Sequence, residues 1–279
     1  MSKADVIFKK TLMRILDEGV TDNNYNVRPH WEDGTPAHTQ YVTQVMHEYN
    51  LQEEFPAITV RPTAMLTGAK ESLWIYQDQS NDVGLLEEKY GVKYWKSWAN
   101  EQNNLGKAYG KQMSYKHEYS EGMFNQVDYL IHTLKTDPMN RGLITNLYNH
   151  SELSLMTLRP CAFMTMWSVE EDRLNMTLVQ RSSDYVVANN INATQYAIFQ
   201  HMIAQITGFK AGKLTHFMQN VHVYDRHRDF AKELLTRDPR KAPKFTMDAD
   251  VKNFYDFRPE HFKFEDYEPH PQKKLEVAI

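Results

Sequence analysis

The sequence predicts a single α+β domain spanning residues 1–279, and three observations carry that reading. Phe163–Val169 and Leu174–Gln180 alternate apolar and polar side chains at the strand period, on either side of a Glu170-Glu-Asp-Arg turn. Asn192–Thr207 instead carries Ala193, Tyr196, Ala197, Phe199, Met202, Ile203 and Ile206 at helical spacing and stops at Gly208. No period of 20–50 residues repeats and no low-complexity tract interrupts the chain, which excludes solenoids.

From the beginning of the chain, residues 2–18 predict an amphipathic helix through Val6, Ile7, Leu12, Ile15 and Leu16, ended by Gly19. Residues 20–38 are polar, hold Pro29, Gly34 and Pro36, and read as a long loop. Thr39–Tyr49 and Phe55–Val60 predict strands; Gly68–Gln77 and Val92–Ala99 predict helices. Phe124–Thr136 is a further helix ending at Asp137-Pro138, and Leu143–Leu147 a strand ahead of the hairpin. The last third is richer in proline and charge, with short strands expected at 244–247 and 262–265.

Composition narrows the function classes. The 32 basic and 36 acidic residues leave a net charge of −4, so no global basic field calls for a nucleic-acid partner. No segment is long and apolar enough to span a bilayer, and no signal peptide is evident. With one cysteine and no export signal, the expectation is a cytoplasmic protein.

That cysteine, Cys161 in Arg-Pro-Cys, cannot form an intrachain disulfide, so it is either a small buried hydrophobe or a nucleophile. A thiolate near neutral pH needs a cation or hydrogen bond, and Arg159 and Arg181 are candidates. Arg181 and Ser182, where a strand meets a loop, suit phosphate oxygens or an ordinary surface turn. Glu71 lies inside an apolar helix, where a carboxyl facing the core could shuttle protons; a solvated glutamate is the plain alternative. His222 and Tyr224 would point to one side of a strand. Tyr94, Trp95 and Trp98 could stack on a planar ligand or fill a core. The histidines show no zinc spacing, so no metal is expected, and there is no Walker loop or GxGxxG.

Taken together and in order, these segments resemble thymidylate synthase, in the form of a divergent bacterial or phage-type member. The resemblance runs through Phe55-Pro56, Glu71-Ser-Leu-Trp74, Leu105-Gly106, Tyr109-Gly-Lys-Gln112, Asp137-Pro138, Arg159-Pro-Cys161 and Gln180-Arg-Ser-Ser-Asp184. It continues through Asn192 in Asn-Ile-Asn-Ala, His222-Val-Tyr224, Asp266-Tyr267, Pro269-His-Pro271 and Val277-Ala-Ile279. It implies a large mixed β-sheet packed by helices, with sheets forming a homodimer interface. It also implies a methyltransferase that converts dUMP to dTMP, with 5,10-methylenetetrahydrofolate as co-substrate and dihydrofolate as product.

The roles it implies have physical reasons. Cys161 would attack C6 of uracil, with Glu71 managing protons around O4 and C5 and Tyr109 completing the catalytic group. Asn192 would read the base, since an amide offers a donor beside an acceptor and cytosine reverses that pattern. His222 and Tyr224 would hold the sugar hydroxyl. Arg28, Arg181 and Ser182 would hold the phosphate, with Arg141 reaching in from the partner subunit. Asp184 would lie where nucleotide and pterin meet, with Arg61, Trp95, Leu158 and Ala278 against the folate. The Val-Ala-Ile tail would close over the site.

Departures from the family pattern are specific. Ala162 stands where the family usually has histidine, Gly142 for a second arginine, Ala188 for glycine and Asn220 for aspartate; the 20–40 and 185–191 loops also diverge. They motivate two alternatives, a dUMP or dCMP hydroxymethylase of the same fold and a weakly active nucleotide- or RNA-binding regulator. Retention of Cys161, Glu71 and Asn192 favours the synthase. A Cys161–His222 hydrolase is disfavoured because no oxyanion-hole glycine lies beside the cysteine.

Overall fold

The computed structural model describes residues 1–279. Helix α1 (Lys3–Glu18) begins where the Ser2 hydroxyl accepts the Asp5 amide, buries Phe8, Leu12 and Ile15, and ends at Gly19. A two-residue strand β1 (Val20–Thr21) and the loop to residue 38 lead into β2 (Thr39–Asn50). Residues 55–60 form no strand, contrary to the expectation from the sequence. The buried Asp5 carboxylate accepts the Thr59 amide (2.8 Å), the Thr59 hydroxyl (2.6 Å) and the Val60 amide (3.1 Å). Amides that a neighbouring strand would have satisfied are thus taken by a side chain from α1.

The helix expected at 68–77 begins earlier, as α2 (Met65–Ser72), and its second half widens into a π-helical turn, Leu73–Gln77. Helix α3 (Val83–Tyr90) is one the sequence does not announce, because Gly84 in its first turn masks the pattern. Asp82 caps it by accepting the Gly84 and Leu85 amides, and Gly91 closes it in the left-handed region. The helix expected at 92–99 is a tighter 3-10 turn, Tyr94–Trp98. Next come α4 (Gly110–Ser114), the hairpin β3 (Lys116–Tyr119) and β4 (Gly122–Asn125), and helix α5 (Gln126–Thr136). The segment from Phe124 is therefore strand for two residues before it turns helical, at the point where the Asn125 side chain accepts the Asp128 amide. Strand β5 (Ile144–Asn146) and a 3-10 turn at His150–Leu155 follow.

The expected hairpin is β6 (Ala162–Glu170) and β7 (Arg173–Asp184), followed by α6 (Asn189–Thr207) and β8 (Lys210–Tyr224). Helix α7 (Arg228–Thr236), like α3, α4, β1 and β3, is absent from the expectations drawn from the sequence. Strand β9 (Lys244–Met247) pairs with β10 (Phe262–Glu265) where short strands are expected.

Six strands form one sheet in the order β1-β2-β8-β7-β6-β5, antiparallel except for the parallel β7–β8 pair. One face carries Val45, Leu214, Leu178, Met176 and Trp167 into the core, where α6 contributes Ile198, Phe199, Met202 and Ile203. Burying each such side chain contributes roughly 1.5–3 kcal/mol before entropy is set against it. Across the opposite face, Met46, Phe217, Val179 and Met164 stand in register on β2, β8, β7 and β6. This apolar row is not buried within the chain, and Met46 is 66% exposed. No helix is long and apolar enough to cross a membrane.

Candidate active site

The C-terminal ends of β7 and β8, the chain entering β6, and the N-terminus of α6 converge at one end of the sheet. Cys161 precedes β6 and is partly buried. Arg181, on β7, fastens that approach: its Nε donates to the Pro160 carbonyl (3.0 Å) and its Nη2 to the Arg159 carbonyl (2.7 Å). The same Nη2 lies 3.6 Å from the Cys161 sulfur, and the Arg181 amide donates to the Cys161 carbonyl (2.9 Å). Burial pushes the Cys161 thiol up, while Arg181 and Arg28 act in the opposite sense. Arg28, from the long 20–38 loop, is therefore within electrostatic reach of the sulfur.

Tyr109 belongs to the same cluster, with a left-handed backbone (φ 50°) that a non-glycine residue adopts only when its surroundings enforce it. The crowding is visible at the next residue, Gly110, where an added Cβ would collide with the Ser80 carbonyl oxygen. Burial and the charge of Cys161 push the Tyr109 phenol well above its ordinary value.

Glu71 is buried near the end of α2, which packs closely on α6: a Cβ at Gly68 would come within 3.2 Å of the Gln195 Cβ. One oxygen, Oε1, accepts from both the Tyr94 hydroxyl and the Trp95 indole N–H. Burial pushes the carboxyl up to about 7 against the pull of those two donors. The aromatic wall continues from Trp95 to Tyr109 (4.9 Å between ring centroids), Trp74 (5.7 Å) and Trp98 (5.9 Å). The sequence leaves Trp95 open between ligand stacking and core filling; it does fill core, and it also binds Glu71.

Asn192, on α6, is held by a buried partner on β7, Gln180. Gln180 Nε2 donates to the Asn192 side-chain oxygen (3.2 Å) and to the Ser182 carbonyl (2.9 Å). Its Oε1 meets His216 Nε2 (2.7 Å). Burial lowers His216 to about 3, so the ring is neutral and Nε2 carries the donating hydrogen. Only the Gln-Arg-Ser motif points toward Gln180. Nothing in sequence marks His216, which arrives on a later strand.

Asp184 and His222 face each other in the β7–β8 register, with Ser182 opposite Asn220. His222 Nδ1 meets the Asn220 side-chain oxygen (2.8 Å), and its ring stands edge-on to Tyr224 (5.0 Å). Burial pushes His222 down, partly opposed by Asp184, and pushes the Tyr224 phenol well up. Asp184 Oδ1 accepts the Val187 amide (3.0 Å) while its second oxygen bonds nothing within the chain. Buried Arg61 donates to the Val186 carbonyl and keeps Nε without a partner. Burial pulls its guanidinium down, and the Asp184 charge opposes that pull.

The C-terminal tail packs on the loop that carries Arg28. Ile279 and His30 exchange backbone hydrogen bonds (2.8 and 3.0 Å), which places Ala278 beside the loop that carries Arg28. Arg226 bonds both Asp33 of that loop (2.6 Å) and Glu276 of the tail (2.9 Å), with its guanidinium 4.9 Å from the Trp31 ring. Leu158 is buried just ahead of Arg159. Arg141 is the exception: it lies exposed in the turn between α5 and β5 and joins none of these contacts within the chain.

Known proteins resemble this chain over its whole length. The family model described as thymidylate synthase matches residues 6–279. The chain is 41% identical to the thymidylate synthase of Streptococcus suis (strain 05ZYH33) and 40% to that of Lactococcus lactis subsp. lactis (strain IL1403), each over 100% of both chains. Its structure superposes on the thermostable thymidylate synthase A from Bacillus subtilis with a TM-score of 0.95, covering 100% of both chains at 36% identity.

Proposed function

Since the chain belongs to the thymidylate synthase family and is a methyltransferase of that kind, we propose that it reductively methylates dUMP to dTMP in the cytoplasm. The observation that carries this reading is the convergence of Cys161, Arg181 and Arg28 on one point, beside buried Glu71 and an Asn192 whose amide is fixed.

In this reading Arg28, Arg181 and Ser182 hold the nucleotide phosphate, and the two arginines favour the Cys161 thiolate when burial alone would disfavour it. The thiolate sulfur bonds to C6, and the electron pair of the C5–C6 double bond moves toward C5 and O4. Glu71, poised near neutrality, exchanges protons there. Gln180 fixes the Asn192 amide, so uracil O4 and N3–H meet a matched donor and acceptor, whereas cytosine would leave polar groups unpaired. His222 and Tyr224 hydrogen-bond the sugar.

The residues present fit a reduced folate. The free oxygen of Asp184 suits pterin N–H donors, the unpartnered Arg61 Nε offers a buried donor, and Trp95 and Leu158 supply apolar wall with Ala278 above. When bound, 5,10-methylenetetrahydrofolate supplies the one-carbon unit and the hydride. Two chains pair through the open sheet face, along the row Met46, Phe217, Val179 and Met164, and each lends Arg141 to its partner's phosphate site.

Dihydrofolate absorbance, followed with dUMP and with dCMP, tests the proposal. Turnover is expected with dUMP only and is abolished by Cys161→Ala. Failure of the native chain to make dihydrofolate, or release of hydroxymethyl-dUMP, overturns it.

A further inference from the structure

Tyr94 has an unusual posture. Its residue is 45% exposed, yet its hydroxyl turns inward to a carboxylate that is itself buried. A tyrosine at such a position ordinarily keeps its apolar ring inward and its hydroxyl in water. The inversion is held by the 3-10 turn Tyr94–Trp98, on which Tyr94 and Trp95 are adjacent and roughly parallel (25° between rings). Both donors converge on Glu71 Oε1, and Oε2 makes no hydrogen bond within the chain.

We propose that Tyr94 is a positioning residue for Glu71: with Trp95 it clamps Oε1, leaves Oε2 as the oxygen that carries the exchangeable proton, and favours the ionised carboxylate. The proposal rests on the dUMP-methylation reading for the purpose of that proton and on the geometry alone for the clamp. A hydrogen bond to a charged acceptor stabilises the charged form, so two donors on Oε1 offset part of the burial that disfavours it. Tyr94 itself stays protonated and donates throughout, because burial and the Glu71 charge push its phenol well up. The other titratable neighbours are Tyr196 from α6 and Tyr109 ahead of α4, with Cys161 and Arg181 beyond them. The two tyrosines are likewise raised by burial and stay neutral.

Infrared difference titration of the full-length protein, native minus Glu71→Gln, isolates the Glu71 carboxyl and needs no turnover. In Tyr94→Phe its midpoint is expected to move to higher pH by about one unit, since a donor to the charged form is lost. The limb of the pH profile of kcat/KM that tracks this midpoint should move with it. Tyr94→Leu, which also removes the ring, should give the same displacement with an added rise in KM for the folate. An unmoved midpoint in Tyr94→Phe overturns the proposal and leaves Tyr94 as packing alone. Absence of dUMP turnover in the native protein would overturn the earlier reading instead, while the infrared midpoint still decides the clamp.

Discussion

Because Nε and Nη2 of Arg181 are bonded to the carbonyls of residues 160 and 159, this side chain both charges the thiol's surroundings and fixes the chain that presents it. Gln180 stands beside it on β7 but faces the other side of the sheet, and joins His216 to Asn192. In Gln180→Leu the His216 Nε2–H would remain buried without an acceptor and Asn192 would lose its anchor. The expected cost is about 1–3 kcal/mol of stability, read as a lower urea midpoint at unchanged slope. A rise in KM for dUMP and a narrower preference for dUMP over dCMP should accompany it. Cys161, Glu71, Asn192 and Asp184 are legible in the sequence because short ordered motifs surround them. Tyr94 as a clamp, Gln180 as an anchor and His216 are not, since each acquires its partner only when distant segments meet.

Strands β2 and β8 bring His47 and His216 opposite each other, rings 6.4 Å apart, both lowered by burial, to about 4 and about 3. His201 on α6 is lowered by burial to about 4 as well. Each folded-state value lies below the ordinary histidine value near 6.5, so on acidification the unfolded chain binds protons first. The stabilising contribution of neutral burial is thus complete above about pH 6.5 and is lost as pH falls toward 4 and then 3. Glu71, raised to about 7, and Asp5, also raised by burial, act in the opposite sense over part of that range, while buried His222 adds to the fall. Urea midpoints should therefore drop between pH 6 and 4, and His47→Gln should flatten that fall. The strands at 39–50, 162–184, 244–247 and 262–265 are legible from side-chain pattern. The same pattern misleads at 55–60, where Asp5 supplies the acceptor that a strand would have. Helix α7 is hidden because its neighbourhood is dense in charge, although it buries Phe230, Ala231 and Leu234.

At the scale of the molecule, the apolar row across the open sheet face is what a second chain would cover. Phe217→Glu places a charge in the middle of that row and should shift sedimentation from twice the chain mass to the monomer, with loss of dUMP turnover. A monomeric native protein would remove the dimer and the shared Arg141 together. The α+β class is legible from local periodicity, but the strand order is not, because register between segments so far apart leaves no local trace. That order carries a consequence for synthesis. Strand β2 is made early, yet Asn50 must wait for Lys213, and Thr39 for Tyr224, before its inner edge is paired. A nascent chain therefore emerges from the ribosome with an unzipped ribbon for most of its translation, a period in which it depends on shielding from its neighbours. Closure of the sheet is a late, non-local event, and slow refolding from denaturant follows from the same wiring.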